Sequence, residues 1–520
     1  MLFSVQSFQG CALLRWIKND DNMKKGLIFC AALTLALAQG CMMDGCYDME
    51  IMDGVVVDGR PEMEDTGRYD EIIENEFISV ADAPVSTFSV DADGASYSFV
   101  KRCVRDGYYI NRGIARIEEF INYFPYDYAD PTDGNKVALN SEVFDCPWDT
   151  SHYIMRLGMK GQSLKPSEYP QANYVFLIDT SGSMDSEDKL GLLKSSLKAL
   201  VDVLDDEDRI SIITYSGTVK KLLESTPVSE SGKIKKAIGK LTASGSTAGG
   251  AAMEMAYKEC LNNYIKGGNN RVIMGTDGDF NVGVTSTDAL LEMVQDYAKE
   301  GIYLTVCGFG WGNLNDSMME TVSNKGNGTY EYIASQDDMM KVFVNESSKF
   351  VSVANDCKVQ VTFNPETVAR YRLIGYENRV MENEDFENDE KDAAEIGAGQ
   401  TVTALYEIVP AEGFFIGCSC ADFDFRYKKS LDDSSVLLQE KVEVGAAESA
   451  SPDFSFACAV AAYGLVFRDS AYKGSADLDL VRNLASIGAE EFDPYGYRSD
   501  FISLVDVTEA YIAKFYKKQE

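Results

Sequence analysis

The spacing of hydrophobic and polar residues changes along the chain, and its most regular part lies between residues 171 and 349. Short apolar runs there predict strands at 173–179, 209–215, 271–276, 302–307 and 329–333. Longer stretches with apolar residues three and four apart predict helices at 189–204, 251–265, 287–299, 315–324 and 336–348. Strands that alternate with helices predict an α/β fold, a doubly wound, mostly parallel sheet with helices on both faces.

Different patterns flank this region. Residues 85–165 include a helical stretch at 113–124, whereas 350–450 read mostly as strands and 454–517 as helices. With 520 residues the chain exceeds the roughly 250–300 residues of a single core, so we expect several domains. The predicted domains are an N-terminal flanking domain (85–165), the central domain (171–349) and a C-terminal β-rich and helical domain (350–518).

The amino-terminal region has the pattern of a secretory leader. Met23-Lys24-Lys25 is followed by an apolar segment at 26–38 and then by Cys41. A basic start, a short apolar core and a cleavage site describe a signal peptide, and a cysteine directly after the cut resembles a bacterial lipoprotein signal. That resemblance implies a leader at 1–40, with signal 23–40, and a lipid on the sulfur of Cys41. An ordinary signal peptide or a short buried helix is the alternative.

The same scheme predicts where the chain starts and where the protein is located. Residues 1–22 have no place in it, so we predict Met23 as the true start, which amino-terminal sequencing tests. Residues 41–84 are polar and acidic and predict a flexible tether. We therefore expect a protein of the bacterial cell envelope, held to a membrane by its lipid anchor, at the outer membrane or the periplasmic face.

Charge and histidine content narrow the functional classes. Lys and Arg number 48 and Asp and Glu number 83, which gives a net charge of −35. Such a chain does not neutralise phosphates, so we expect no nucleic-acid partner. His152 is the one histidine in the sequence. Most catalytic triads and histidine-rich zinc sites are thereby excluded.

Oxygen-bearing side chains follow the predicted strands of the central domain in three loops. Asp179 ends the first strand and Ser181 and Ser183 come directly after it, Thr247 lies before the helix at 251–265, and Asp277 follows the strand at 271–276. The carboxyl ends of parallel strands form the ligand-binding edge of such sheets. Hydroxyl and carboxylate oxygens select Mg²⁺, Ca²⁺ or Mn²⁺ over zinc or copper. With only two carboxylates, the ion keeps a position that an acidic group of a partner can fill. Turn and cap residues are the structural alternative.

These loops resemble the metal-ion-dependent adhesion site of the von Willebrand factor type A family, which implies a Rossmann-like domain. The resemblance implies that Ser181, Ser183 and Thr247 bind the metal directly and that Asp179 and Asp277 act in support. Mg²⁺ is the expected ion, with Ca²⁺ and Mn²⁺ as alternatives. The flanks resemble a narrower bacterial group, the YfbK-like proteins, through motifs such as STFSVDADGASYS, RIEEFINYFPYDY and AEIGAGQTVTALYEIVP. This second resemblance covers residues 85–518.

Together these features predict a binding protein and no enzyme. The expected partner is a protein that offers an acidic side chain to the metal. One alternative is a scaffold or assembly factor for an envelope complex or an ATPase, with the central domain as the docking module. A metal-assisted hydrolase is the other. It would need a general base, but His152 lies outside the three loops in sequence and Asp279 is the only unassigned carboxylate near them.

Overall fold

The computed structural model describes residues 72–132, 134–245, 249–278, 287–311, 314–391, 393–445 and 449–516. All of them fall in the second of the two units into which the chain divides, Met63–Glu520. The predicted leader, Cys41 and the greater part of the predicted tether lie outside the described residues. Among the helices of the described ranges, none combines the length and the apolar character needed to span a bilayer.

The described part of the chain contains three sheets. Its strands are Ile78–Ser79 (β1), Val85–Ser89 (β2), Val137–Asp145 (β3), Tyr153–Gly161 (β4), Ala172–Asp179 (β5), Arg209–Tyr215 (β6), Val219–Pro227 (β7), Asn269–Thr276 (β8), Ile302–Phe309 (β9), Tyr330–Ile333 (β10), Ser352–Phe363 (β11), Val368–Ile374 (β12), Ile396–Gly397 (β13), Thr401–Pro410 (β14), Ser419–Lys428 (β15) and Val436–Glu443 (β16).

Helices lie before, between and after these strands. The α-helices are Ala95–Asp106 (α1), Ile117–Asn122 (α2), Leu192–Val203 (α3), Ser231–Gly239 (α4), Gly250–Asn262 (α5), Thr287–Lys299 (α6), Asp316–Lys325 (α7), Gln336–Met340 (α8), Pro452–Arg468 (α9), Leu478–Ala489 (α10) and Tyr497–Phe515 (α11).

The central sheet has the strand order β10-β9-β8-β5-β6-β7. All pairs are parallel except β6 with β7, so the predicted mostly parallel α/β sheet is confirmed. Every residue of β5 and β8 is buried, as expected for strands with helices on both faces. The antiparallel edge strand β7 was not predicted, because most of its residues are exposed or half-buried and it has no continuous apolar run.

The other two sheets are built from both flanks of the central domain. One has the order β1-β12-β14-β4-β3, and the other has the order β13-β11-β15-β16 with β2 paired to β11. Because β4 lies between β14 and β3, the predicted flanking domains 85–165 and 350–518 share sheets and do not pack as separate bodies. Periodicity indicates a strand but not its distant partner, and the sequence pattern could not show this.

The chain leaves the flanking sheets and returns to them at neighbouring points. The amide of Gly161, the last residue of β4, donates to the carbonyl of Gln400 at 2.9 Å. A Cβ at Gly161 would lie only 3.1 Å from the side chain of Val353, the second residue of β11. The central domain is therefore an insertion between β4 and β11.

Three large hydrophobic cores hold these parts together. The two antiparallel sheets enclose one core, with residues such as Phe88, Met155 and Phe423. One face of the central sheet packs on α3 and α4 in a second core. The opposite face shares the third core with α1, α2 and the carboxyl-terminal helices α9 to α11. The flanks thus contact the inserted domain through a continuous apolar core.

Candidate metal site

Asp179 is the last residue of β5, at the centre of the inserted sheet, and its side chain is fully buried. Its Oδ1 accepts a hydrogen bond from the amide of Ser181 at 2.8 Å, and its Oδ2 accepts one from Oγ1 of Thr276 at 3.3 Å. Burial raises the pKa of Asp179 to about 6, and the nearby Asp277 carboxylate adds to this rise while the bonds from Ser181 oppose it. The site therefore presents a desolvated carboxylate whose charged form is stabilised by added positive charge.

The first loop brings two hydroxyl groups together beside this carboxylate. The Oγ atoms of Ser181 and Ser183 are 3.0 Å apart. Ser181 is buried and Ser183 is exposed, so the pair reaches from the sheet edge towards solvent. The short 3₁₀ turn Gly182–Met184 holds this spacing, because the side chain of Met184 is fully buried beneath it.

The second loop is fastened to the first, although Thr247 itself lies outside the described residues. The amide of Ser244 donates to the carbonyl of Thr180 at 2.7 Å, and the amide of Gly182 donates to the carbonyl of Gly245 at 3.0 Å. Gly245 has a φ of +85° and a Cβ there would lie 3.2 Å from the carbonyl oxygen of Ser216. These contacts bring Ser244 and Gly245, the last described residues before Thr247, to the same edge of the sheet.

The third loop contributes Asp277, which follows β8 and is fully buried. Its Oδ2 lies 2.9 Å from Nζ of Lys189. The next residue, Gly278, has a φ of +92°, and a Cβ there would lie 2.5 Å from the amide nitrogen of Asn315. The backbone turn after Asp277 therefore requires glycine. Asp279, the extra carboxylate of the sequence analysis, lies outside the described residues.

The structure brings four of the five predicted metal-site residues to one sheet edge: Asp179, Ser181, Ser183 and Asp277. Their donor atoms are hard oxygens, so the described part of the site fits a divalent cation of the Mg²⁺, Ca²⁺ and Mn²⁺ class. Their role as metal ligands stays a prediction. Sequence reasoning assigned no function to Lys189, because it opens the stretch predicted as an amphipathic helix. In the structure Lys189 belongs to a π-helical turn, Glu187–Gly191, and α3 begins after it.

His152 is remote from this arrangement. It lies in the turn between β3 and β4, in an antiparallel flanking sheet, and its Nδ1 is 2.6 Å from Oε1 of Glu407. The other oxygen of Glu407 accepts a hydrogen bond from Arg372 at 2.7 Å. The histidine is thus part of a polar cluster in the flanking sheet.

An inserted, mostly parallel sheet with oxygen-bearing loops at its carboxyl edge is the arrangement that the sequence resemblance implied, and a family model identifies it as a von Willebrand factor type A (VWA) domain. The family model "von Willebrand factor type A domain" matches residues 173–346. Two further models match the flanks. "Von Willebrand factor" matches residues 63–156, and "Uncharacterized protein YfbK, C-terminal" matches 348–414 and 419–511.

The chain belongs to the YfbK family. It is 36% identical over 471 residues to the uncharacterized protein YfbK of Escherichia coli (strain K12), a match that covers 85% of this chain and 81% of that protein. It is also 29% identical over 175 residues to human inter-alpha-trypsin inhibitor heavy chain H3, which covers 32% of this chain and 19% of that protein.

Two similar solved structures are the following. The von Willebrand factor type A protein from Catenulispora acidiphila is 16% identical with a TM-score of 0.42, and the match covers 75% of this chain and 99% of that one. Proximal thread matrix protein 1 from the mussel byssus, in a structure with a zinc-occupied MIDAS motif, is 23% identical with a TM-score of 0.29. That match covers 34% of this chain and 45% of the mussel chain.

Proposed function

We propose that this protein binds a divalent cation at Asp179, Ser181, Ser183, Thr247 and Asp277 and captures a protein partner through that cation. One observation carries the proposal. Two fully buried carboxylates and a pair of hydroxyl groups 3.0 Å apart meet at the carboxyl edge of the inserted sheet. The two buried carboxylates share one nearby ammonium group, that of Lys189, so a negative charge remains that is costly to bury, which gives a cation a reason to bind.

The proposed partner supplies the missing negative ligand. The described site offers two carboxylates and neutral hydroxyls, so a bound dication keeps an open coordination position and part of its charge. An acidic side chain of a partner protein completes the coordination with a charge-assisted contact. VWA domains are protein-interaction modules, and their presence here supports binding as the activity.

Catalysis is not part of the proposal. Asp179 is held by Ser181 and Thr276, and His152 is engaged with Glu407 in another sheet. No other histidine exists in the sequence to act as a general base. Location in the envelope through a lipid on Cys41 belongs to the proposal as well. It rests on the sequence of residues 23–41, and amino-terminal sequencing of the mature chain tests it.

The cation is tested by thermal unfolding of the full chain with chelator or with Mg²⁺, Ca²⁺, Mn²⁺ or Zn²⁺; zinc is included because of the mussel protein. A ligand at one hundred times its dissociation constant adds about 2.7 kcal/mol to the free energy of unfolding, so the melting temperature should rise by several degrees. Asp179→Asn should abolish that rise.

Asp202→Asn is the matched control, because Asp202 lies on α3 of the same domain and pairs with Lys235 at the surface. It should keep the full metal response. Binding of envelope proteins to the immobilised chain, with and without chelator, then tests the partner. A chain that no cation stabilises, or an Asp179→Asn variant with the wild-type response, would contradict the proposal.

A further inference from the structure

Lys189 places a fixed positive charge inside the candidate metal site. Its Nζ lies 2.9 Å from Oδ2 of Asp277, which is fully buried, and its own side chain is only 12% exposed. An ammonium group at this distance forms a charge-assisted hydrogen bond with a carboxylate. One of the two buried carboxylates of the site is therefore neutralised by the protein itself.

The position of Lys189 is built into a neighbouring loop. Its aliphatic stem lies against Gly310, directly after β9, where a Cβ would overlap the lysine Cε and approach its Cγ to 2.7 Å. Gly310 also has a φ of +83°, a conformation that favours glycine. The absence of a side chain at this position leaves room for the lysine stem to cross towards Asp277.

The turn that carries Lys189 is held on its other side. The preceding residue, Asp188, pairs with Arg102 of α1 at 2.6 Å and accepts a hydrogen bond from the hydroxyl of Ser186 at 2.6 Å. The turn Glu187–Gly191 is π-helical, a geometry found mostly as single turns at functional sites. The contacts of Asp188 therefore hold the backbone beside Lys189, and the contact with Asp277 holds the ammonium group of Lys189.

A divalent cation and this ammonium group would act on the same carboxylate. Like charges a few ångströms apart repel strongly where water is excluded, and the repulsion opposes entry of the cation. If the cation takes over Asp277, the lysine gives up its partner. The lysine and the metal are in this sense alternative counterions for one buried group.

We propose that Lys189 is an internal counterion that competes with the divalent cation for Asp277 and thereby sets the cation affinity of the site. This inference rests on the proposed function, since it needs the cation to bind. It identifies a residue outside the five predicted ligands that controls the affinity of the site for the cation. Removal of the lysine charge should tighten cation binding.

The test is a titration of the full chain with Mn²⁺, followed by electron paramagnetic resonance of the free ion. Lys189→Met keeps an aliphatic stem beside Gly310 and removes the charge, so the dissociation constant should fall by about tenfold or more. Lys189→Arg keeps the charge and should stay close to wild type. Lys194→Met is the matched control, because Lys194 lies in the same domain and its Nζ donates to the carbonyl of Leu241 at 2.8 Å.

Thermal unfolding gives a second measurement. In chelator, Lys189→Met should melt below wild type, because buried Asp277 loses its counterion. Saturating Mn²⁺ should then raise the melting temperature of Lys189→Met by more than it raises that of wild type. If the methionine variant does not fold in chelator, Lys189→Gln is purified with Mn²⁺ and titrated after dialysis.

The outcomes separate this inference from the proposed function. Mn²⁺ binding by wild type with equal or weaker binding by Lys189→Met overturns the role of Lys189 and leaves the cation site intact. Binding by Lys189→Met alone supports the role of Lys189 as an excluding counterion and overturns the proposed function, because the wild-type site would then hold no cation. Absence of binding in both proteins at millimolar Mn²⁺ overturns both proposals.

Discussion

At the scale of the residue, Glu118 is a carboxylate whose buried environment raises its pKa far above the ordinary value. It lies in α2, is 1% exposed, and neither carboxylate oxygen has a hydrogen-bond partner among the described residues. Burial raises its pKa to about 8; the charges of Glu377 and Asp91 add to the rise, and Arg468 opposes it. Glu118 is thus protonated in the folded protein at pH values where it is ionised in the unfolded chain.

The sign of the pH dependence follows from this difference. The folded state binds a proton more tightly than the unfolded state, so the free energy of unfolding falls as pH rises from about 4.5 to about 8. Glu118→Gln removes the penalty and should stabilise the protein at pH 9 by up to about 5 kcal/mol, with little effect at pH 5. Urea unfolding at both pH values measures it, with exposed Glu254→Gln as the control. Equal destabilisation at both pH values would contradict the assignment.

The residues of the candidate site differ in how far sequence could predict them. Asp179, Ser181, Ser183 and Asp277 were predictable because each ends or closely follows a buried strand, and parallel strands end at one edge. The contact of Lys189 was not predictable, because its partner Asp277 lies 88 residues away in the chain and because the lysine stem needs the space beside Gly310. A lysine at the start of an amphipathic helix gives no local sign of such a contact.

At the scale of the element, α1 joins the flank to the metal-site loops. Arg102 pairs with Asp188 at 2.6 Å and donates to the hydroxyl of Tyr332 at 3.0 Å, and Tyr332 donates in turn to the carbonyl of Gly310 at 2.5 Å. Phe99 stacks on Trp311 with ring centroids 5.5 Å apart. Two of the loops that position Lys189 are therefore braced by one helix from outside the VWA domain.

Loss of the contacts that Arg102 makes should increase the mobility of the π-helical turn Glu187–Gly191. Arg102→Met removes the ion pair with Asp188 and the bond to Tyr332, so amide hydrogen exchange in Glu187–Gly191 should become faster. Mass spectrometry of peptides that cover this turn measures the rate. Arg105→Met is the control, since Arg105 lies on the same helix but pairs with Asp500. Unchanged exchange in Arg102→Met would show that other contacts hold the turn.

Most strands of the central sheet were predictable from the sequence. The edge strand β7 and the pairing of strands in the flanking sheets were not. The predicted strand 209–215 coincides with β6, and 173–179 differs from β5 by one residue. β5 contains a continuous apolar run, and β6 is apolar at most positions, because nearly all of their residues are buried. β7 has one face towards solvent and a weaker pattern. The pairing of β4 with β14 joins residues about 250 apart, and no local pattern encodes it.

At the scale of the whole molecule, the shared sheets make the flanks depend on each other. Residues 350–516 alone would lack β4, the neighbour of β14, and β2, the neighbour of β11. Each loss exposes backbone hydrogen-bonding groups and core side chains. We expect this fragment to show no cooperative unfolding in urea and no near-ultraviolet circular dichroism, whereas residues 72–516 show both. A cooperative transition of the fragment would contradict this dependence.

The proximity of Gly161 to Val353 has a mechanical consequence. Because the chain enters and leaves the VWA domain at one place, tension applied between residues 72 and 516 would run through the flanking parts and bypass the inserted domain. A partner that pulls at the metal edge would load the inserted domain and its apolar contact with α1. A force along the chain and a force at the binding site would therefore act on different parts of the fold.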